Sequence, residues 1–450
     1  MSTPVWDFVR RYAEEDPLRL HMPGHKGVPG LGPEPWDLTE IPGADSLYEA
    51  SGILRESEEE AGRLYGCPTF YSAEGSSLAV RTMVFLACRW ALDRGKRPKI
   101  AAARNVHRTF VTAAALLDVP LQWISGETCL QCTLDPAAVE AVLEADVTAL
   151  YCTSPDYLGH IQEIEGLARL CRRRGILLLV DNAHGAYLRF LPESRHPMDL
   201  GADLCCASAH KTLPALTGAA YLHIAAAHGA LAEQAKAALA LFGSTSPSYL
   251  ILASLDRLNG LLAGDYPRAL AAFLPRAQAL KTRLAEAGWQ LTGSEPLKLT
   301  LCPKGRGYTG TEIAEILQAV HIYSEFADPD YLVLMLTPAL SQAQLDRLAE
   351  VLEAIPPRRP IRTLPPPCPM GPIRLTPRAA SFAPSETVPV DQALGRILAE
   401  TQIGCPPAVP IAVCGEALTP EAVAAFRYYG VTEVRVVRSG DCGEGRGNRE

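Results

Sequence analysis

The stretch LCCASAHKTLP at residues 204–214 places a short apolar run directly before Ser208, His210 and Lys211. Such a run has the length and composition of a buried strand. Desolvation beside other cations lowers the pKa of a lysine and frees its amine as a nucleophile. The neighbouring hydroxyl and imidazole could hold a phosphate. Taken alone, this short motif is better explained by a surface lysine in a loop.

A second apolar run, ILLLV at 176–180, ends at Asp181-Asn182-Ala183-His184. Ligands of parallel α/β sheets bind beyond the carboxyl ends of the strands. A carboxylate at that place could keep a pyridine nitrogen protonated, which makes pyridoxal 5′-phosphate (PLP) an electron sink. Metal and ribose sites also use a carboxylate there, so this motif alone indicates only the edge of an active site.

A third motif, Glu74-Gly75-Ser76-Ser77, precedes a segment with helical spacing. Backbone N–H groups and hydroxyls at a helix N-terminus form an anion site, although simple capping by serine also explains these residues. The three motifs together offer an anion site, a carboxylate and an amine. That combination matches the phosphate, ring nitrogen and aldehyde of one ligand, PLP.

The segment around these motifs alternates apolar runs with amphipathic stretches. Helices are predicted at 54–65, 76–89 and 164–174, and strands at 99–103, 147–153, 176–180 and 204–207. Fully apolar strands that alternate with helices indicate a parallel sheet covered on both faces. The predicted fold is therefore α/β with a mostly parallel sheet.

The chain has 450 residues, which suggests two or three domains. Residues 356–372 carry eight prolines in seventeen positions and are expected to form a stiff linker. The predicted divisions are an N-terminal arm (1–50), a large PLP-binding domain (51–255), a small α+β domain (256–355), the Pro-rich linker (356–372), a C-terminal domain (373–437) and a disordered tail (438–450).

Composition excludes several classes of function. The formal net charge of −8 argues against a nucleic-acid partner, and neither a signal peptide nor an apolar run of membrane-spanning length is found. The thirteen cysteines fit reduced thiols in a cytoplasmic protein. Cys129 and Cys132 form the only C-x-x-C and no second pair stands at zinc spacing, so no metal is expected. Cys205 and Cys206 are interpreted as strand packing.

The chain resembles the Orn/Lys/Arg decarboxylase family of fold-type I PLP enzymes, in the short form without an N-terminal receiver-like domain. The similarity runs in order through nearly the whole chain. It rests on HMPGHKG (21–27), DLTEIPGADSL (37–47), GSS (75–77), RNVHRTF (104–110), SPDYLG (154–159), LLVDNAHGAY (178–187), GADLCCASAHKTLPALTGAAYLH (201–223), STSPSYLILASLD (244–256) and CPPAVPI (405–411).

The resemblance implies an aminotransferase-like fold and a role for each matching residue. Lys211 would hold PLP as a Schiff base, Asp181 would pair with the pyridine nitrogen, and His107 would stack on the ring unless it is an ordinary core histidine. Further cofactor contacts are implied for Gly75, Ser76, Ser77, Ala183, His184, Ser208 and His210, and for Thr245 and Ser246 toward a neighbouring subunit.

Three residues are implied near the substrate. His25 and Lys26 would lie in the arm at the site entrance, although a turn stabilised by Pro23-Gly24 explains them as well. Glu325 matches an acidic position near the substrate end.

This sequence also departs from the family pattern. Glu74 replaces the usual asparagine, and an anion next to a phosphate is unfavourable unless its side chain turns away. Asn182 replaces an acidic residue, Asp156 replaces a threonine, and the usual histidine between Gly43 and Leu54 is missing. These changes concern the substrate and the activity more than the cofactor.

The function implied is PLP-dependent decarboxylation of a basic amino acid to an amine and CO2, in polyamine biosynthesis, by a homodimer or higher even oligomer. The sequence does not choose among arginine, lysine and ornithine. An aminotransferase or lyase reaction on the same scaffold, and a non-catalytic regulatory protein with this fold, stay open as alternatives.

Overall fold

The computed structural model describes residues 2–401, 404–405 and 409–438. Apart from residue 438, the segment predicted to be a disordered tail lies outside the described residues, as do three positions of the CPPAVPI match.

The described residues form a seven-stranded sheet in the order β1-β7-β6-β5-β4-β2-β3. Its strands are β1 (Thr69–Ser72), β2 (Ile100–Ala103), β3 (Leu121–Ile124), β4 (Ala149–Thr153), β5 (Leu177–Asp181), β6 (Leu204–Ala207) and β7 (Ala220–Ile224). Strand β7 pairs antiparallel with β1 and with β6, and all other pairs are parallel. The predicted mostly parallel sheet is confirmed.

Helices cover both faces of this sheet and continue through the rest of the chain. The helices are α1 (Pro4–Glu14), α2 (Ile53–Tyr65), α3 (Gly75–Leu92), α4 (Arg108–Leu117), α5 (Pro136–Val142), α6 (Ile164–Arg174), α7 (Ala209–Thr212), α8 (Gly229–Ala240), α9 (Tyr249–Ala263), α10 (Tyr266–Glu286), α11 (Gly310–Ala319), α12 (Gln342–Glu353), α13 (Pro377–Phe382) and α14 (Pro420–Tyr428). No helix in the described ranges combines the length and the apolar character that a bilayer crossing requires.

Strand β5 explains why its sequence is apolar throughout. Leu177 and Leu179 join the hydrophobic cluster that contains residues of α3 and α4. Leu178 and Val180 point the other way and join the cluster that contains residues of α5 and α6. Because successive side chains of a strand face opposite sides, a sheet with two covered faces needs apolar residues at every position.

The second half of the chain builds smaller units. A four-stranded antiparallel sheet has the order β10-β11-β9-β8. Its strands are β8 (Leu291–Thr292), β9 (Lys298–Leu301), β10 (Phe326–Ala327) and β11 (Leu332–Met335). Near the C-terminus, β12 (Ser385–Pro389) pairs with β15 (Glu433–Val437), and β13 (Gly404–Cys405) pairs with β14 (Val409–Pro410).

The segment predicted as a stiff linker is held to the rest of the chain. The N–H of Arg358 donates to the carbonyl of Arg306 at 2.8 Å, and that of Ile361 donates to the carbonyl of Lys304 at 3.0 Å. Farther on, Pro367 forms an isolated antiparallel bridge with Thr128, which lies in the segment after β3. The C-terminal unit is therefore attached through a docked segment.

Candidate active site

A cavity of about 400 Å³ lies at the carboxyl ends of three neighbouring strands of the large sheet. Thr153 ends β4, Asp181 ends β5, and Ser208 follows β6; all three line the cavity. The first turns of α3 and α4 close another side. This is the edge at which parallel α/β sheets bind their ligands.

Lys211 reaches the cavity from α7, the short helix that directly follows β6. Its Nζ lies 3.1 Å from Nε2 of His184. Loss of solvent lowers the pKa of the Lys211 amine, and the carboxylates of Asp181 and Glu325 oppose this shift. Lowering the pKa favours the neutral amine, which is the nucleophilic form.

The Asp181 carboxylate is buried and held by neighbouring donors. One oxygen accepts from the hydroxyl of Tyr151 at 3.1 Å, and the other accepts from the N–H of Ala183 at 3.1 Å. The thiol of Cys206 also donates to Asp181 at 3.4 Å. Only 3% of Asp181 is exposed, so its negative charge acts in a poorly solvated place.

His107 caps the N-terminus of α4 and lines the same cavity. Its Nδ1 accepts from the N–H of Thr109 at 3.2 Å and lies 2.8 Å from the hydroxyl of that residue. These contacts fix the orientation of the ring. Burial lowers the pKa of His107, while Asp181 raises it.

The same cavity is also lined by the groups of an anion site. Helix α3 begins at Gly75, whose φ of 70° favours glycine, and Ser76 and Ser77 follow in its first turn. The hydroxyl of Ser208 is buried and has no partner among the described residues. His210 also lines this region, with its Nδ1 2.9 Å from the carbonyl of Ala219.

The three substitutions in the family pattern have different surroundings. Glu74 turns its carboxylate toward Ser244, whose N–H donates to it at 2.6 Å. Asp156 is buried and lies 2.9 Å from Nδ1 of His160. Asn182 is fully buried, and both polar atoms of its side chain lack a partner among the described residues.

The structure brings most of the predicted cofactor residues to this one cavity. Gly75, Ser76, Ser77, His107, Asp181, Ala183, His184, Ser208, His210 and Lys211 all line it. Thr245 and Ser246 do not; they are exposed in the segment after α8 that Glu74 contacts.

The three predicted substrate residues lie outside the cavity lining. Nε2 of His25 lies 3.2 Å from the carboxylate of Asp37, and Nζ of Lys26 donates to the carbonyl of His21 at 2.6 Å. Both contacts are within the arm. Glu325 accepts a hydrogen bond from the hydroxyl of Tyr157 at 2.9 Å, and Tyr157 does line the cavity.

Sequence reasoning missed several lining residues. Asn105, Arg108 and Thr109 belong to the RNVHRTF stretch, and Thr153 and Tyr157 lie in or beside SPDYLG; Thr217 and Gly218 belong to the match at 201–223, Val409 belongs to CPPAVPI, and Val80 completes the missed set. All of them except Val80 lie in or beside stretches that were recognised for other residues. The sequence therefore showed that these residues stand near recognised motifs. It did not show that their side chains point into the cavity.

The cavity suits PLP by the chemistry of its donors. The Ser208 hydroxyl, Nδ1 of His184 and the Thr153 hydroxyl are buried and lack partners among the described residues, although all three residues line the cavity. Buried polar atoms normally have hydrogen-bond partners. Lys211, Asp181 and the hydroxyls are the groups that an aldehyde, a protonated ring nitrogen and a phosphate require. The individual contacts to the cofactor stay predictions.

Comparison with known proteins agrees with this chemistry. Residues 3–301 match the major domain of the Orn/Lys/Arg decarboxylases, and residues 375–436 match their C-terminal domain. An arginine decarboxylase of Bacillus subtilis is 30% identical, with 94% of this chain and 92% of that protein covered. An arginine decarboxylase of Halalkalibacterium halodurans is 29% identical over 95% of this chain and 93% of its own.

Solved structures share the fold. A lysine decarboxylase of Francisella novicida superimposes with a TM-score of 0.78 at 15% identity, covering 97% of this chain and 81% of its own. A NifS-like protein superimposes over 68% of this chain and 90% of its own, with a TM-score of 0.54 at 15% identity. The large unit thus has the aminotransferase-like fold of fold-type I PLP enzymes. The chain belongs to the Orn/Lys/Arg decarboxylase family and uses pyridoxal 5′-phosphate as its cofactor.

Proposed function

We propose that this protein is a PLP-dependent decarboxylase that converts a basic amino acid to the corresponding amine and CO2. The observation that carries the proposal is the convergence of Lys211, Asp181 and His107 on one cavity that Ser76, Ser77 and Ser208 also line. Family membership assigns the reaction class to that arrangement.

Bound PLP supplies an electron sink for the bond that joins Cα of the amino acid to its carboxylate. Asp181, fixed by Tyr151 and the N–H of Ala183, is suited to hold a proton on the ring nitrogen. His107, oriented by Thr109, is suited to fix the plane of the ring. Lys211 has a lowered pKa and lies beside His184. It is suited to carry the cofactor and later to return a proton to Cα.

The preference for a basic substrate has support beside the cavity. The Glu325 carboxylate is held by the hydroxyl of Tyr157, a residue of the cavity wall. A carboxylate in this position attracts the cationic end of a long side chain and repels an acidic one. We take arginine as the first candidate, because two similar proteins that cover this chain almost completely are arginine decarboxylases.

We also propose that the protein works as a homodimer or higher even oligomer in the cytoplasm and supplies amine for polyamine biosynthesis. Thr245 and Ser246 are exposed and lie outside the cavity of their own chain. Their position is compatible with the implied contact to the site of a neighbouring subunit. His25 and Lys26, whose hydrogen bonds to Asp37 and His21 lie within the arm, are proposed to act at the entrance in the same assembly.

The test is a substrate panel with the PLP-loaded protein. CO2 release is measured with arginine, lysine, ornithine and citrulline, and the amine product is identified by mass spectrometry. Citrulline is the matched control, because it has nearly the shape of arginine without the charge. Release from arginine with formation of agmatine, and little release from citrulline, is expected. Absence of CO2 from every basic amino acid, or transfer of the amino group to a keto acid, would contradict the proposal.

A further inference from the structure

One arginine of the active-site cavity has no partner among the residues that the structure describes. Arg108 is the only arginine in the described lining, and its side chain is exposed. No hydrogen bond or ion pair joins its guanidinium to another described residue. The other charged residues of the lining, Glu74, Asp181 and Lys211, each contact a neighbouring residue. Arg108 is therefore the one cation at the cavity that the fold itself does not use.

The place of Arg108 in the fold is electrostatically unfavourable without an anion. Arg108 is the first residue of α4, and the first turn of this helix has no acidic residue. The N-terminus of a helix carries a partial positive charge, which disfavours a nearby cation and attracts an anion. The hydroxyl of Thr109, the next residue, lies 3.3 Å from that of Ser77 in α3. An anion bound beside Arg108 would remove an unfavourable interaction and would meet further polar groups.

The expected ligands offer two anions, a phosphate on PLP and an α-carboxylate on an amino acid. The phosphate has candidate partners in Ser76, Ser208 and His210, all of which line the cavity. The α-carboxylate has no such candidate yet. The guanidinium of an arginine presents two parallel N–H donors in one plane, and this arrangement matches the two oxygens of a carboxylate. The chemistry of Arg108 therefore favours the α-carboxylate.

We propose that Arg108 binds the α-carboxylate of the amino-acid substrate. This assignment rests on the proposed function, because it requires an amino acid in the cavity. It complements the carboxylate of Glu325, which Tyr157 holds beside the cavity and which attracts the cationic end of a long side chain. A basic amino acid would then meet a residue of opposite charge at each of its two ends.

An exposed guanidinium suits a carboxylate that leaves as CO2. Only interactions that are stronger in the transition state than in the ground state accelerate the chemical step. A buried ion pair would hold the departing group tightly, whereas a solvent-exposed ion pair is weak. Arg108 can therefore orient the substrate as it binds and release the carboxylate during the reaction. Its effect is expected on KM more than on kcat.

The test compares two unreactive ligands on the full-length, PLP-loaded protein by isothermal titration calorimetry. 5-Guanidinopentanoate is arginine without its α-amino group, and butylguanidine is the same molecule without the carboxylate. Neither has the amine that reacts with the cofactor, so binding is measured without turnover. The unmodified protein should prefer 5-guanidinopentanoate. Arg108→Gln should lower the affinity for this ligand about 5-fold, as expected for an exposed ion pair, and should not lower the affinity for butylguanidine.

Matched variants separate charge and geometry from the general loss of a surface arginine. Arg108→Lys keeps the charge without the planar pair of donors and should recover part of the preference. Arg97→Gln removes an exposed arginine outside the cavity lining and should behave like the unmodified protein. In assays of CO2 release from arginine, Arg108→Gln should raise KM about 5-fold with little change in kcat.

The outcomes distinguish this proposal from the proposed reaction. An unmodified protein without a preference for 5-guanidinopentanoate, or a preference that Arg108→Gln retains in full, would overturn the role of Arg108. Loss of PLP from Arg108→Gln would overturn it as well, because the residue would then bind the phosphate. If the preference depends on Arg108 but no basic amino acid releases CO2, the proposed reaction fails and the role of Arg108 stands.

Discussion

The amine of Lys211 lies 3.1 Å from Nε2 of His184 at the carboxyl end of the large sheet. Burial is the main cause that lowers the pKa of both groups, and the positive charge of Lys211 lowers that of His184 further. Two cations this close in a poorly solvated place would repel each other. The contact therefore favours the neutral forms of the His184 imidazole and of the Lys211 amine.

Replacing Lys211 by alanine should remove the covalent attachment of the cofactor. The visible absorbance of the protein-bound cofactor should disappear, and kcat for CO2 release should fall by about 10³-fold or more, because one residue carries attachment and proton transfer. Absorption spectra measure the loss of the bound cofactor, and timed assays of CO2 release measure kcat. The exposed Lys96→Ala variant is the control and should match the unmodified protein. An unchanged spectrum for Lys211→Ala would refute the assignment.

Replacing Tyr157 by phenylalanine should weaken substrate binding more than chemistry. The variant loses the hydroxyl that donates to Glu325 at 2.9 Å but keeps the ring, whose centroid lies 4.9 Å from that of His184. Loss of one hydrogen bond to a charged group costs about 1.5–3 kcal/mol, so KM for the basic amino acid should rise about 10-fold or more. The exposed Tyr323→Phe variant is the control. A fall in kcat at constant KM would instead place Tyr157 in the chemical step.

The parallel part of the fold and the main site motifs were predictable from the sequence. The run that forms β5 is apolar on both faces, and its last residue is the carboxylate of the cavity. Length, composition and the polar residue at the strand end are local properties that a sequence displays directly. The same holds for Lys211, which follows the apolar run of β6.

Direction and long-range contacts were not predictable in this way. Strand β7 is as apolar as β5, yet it runs antiparallel to both neighbours, because its direction depends on the short connection from β6 rather than on its composition. Strands β1 (TFYS) and β3 (LQWI) were not predicted, because they include polar residues and lack the continuous apolar run that marks β2 and β6, which have the same length. Val409 reaches the cavity from the C-terminal unit, a placement that only tertiary packing determines.

The buried pair of Arg104 and Glu416 should carry much of the attachment of the C-terminal unit. Their side chains are 0% and 2% exposed, and Nη2 of Arg104 lies 3.2 Å from the Glu416 carboxylate. Replacing Arg104 by methionine leaves a buried carboxylate without its cation, which costs about 3–5 kcal/mol. The free energy of unfolding in urea should fall by that amount.

A second substitution separates charge from packing at this pair. Adding Glu416→Gln to Arg104→Met removes the uncompensated charge and should restore at least half of the lost free energy. The control is Arg169→Met, since the ion pairs of Arg169 with Glu163 and Glu165 are exposed and should contribute about 1 kcal/mol or less. Equal losses for Arg104→Met and for the double variant would show that the charge of Glu416 is not the cause.

Two buried histidines, His196 and His223 of β7, should make the protein sensitive to acid. The ring of His196 lies 5.2 Å from that of His223 and 5.3 Å from that of Tyr65, all in the core. Burial lowers the pKa of His196 to about 3, with a smaller effect from Arg189. In the unfolded chain the pKa of a histidine is about 6.5, so below that pH the unfolded chain binds a proton at His196 that the folded chain does not bind.

The sign follows from this difference in bound protons. The stabilising effect is complete above about pH 6.5 and is lost as the pH falls toward 3, with a slope of about 1.4 kcal/mol per pH unit for His196 between about pH 5.5 and 4. His196→Asn keeps an acceptor for the N–H of Met198 and should reduce the measured slope by about that amount. Urea unfolding at several pH values measures this slope.

The control His321→Asn changes an exposed histidine at a φ of 58°, which asparagine tolerates, and should leave the slope unchanged. If the slope of His196→Asn equals that of the unmodified protein, the folded chain protonates His196 as readily as the unfolded chain does.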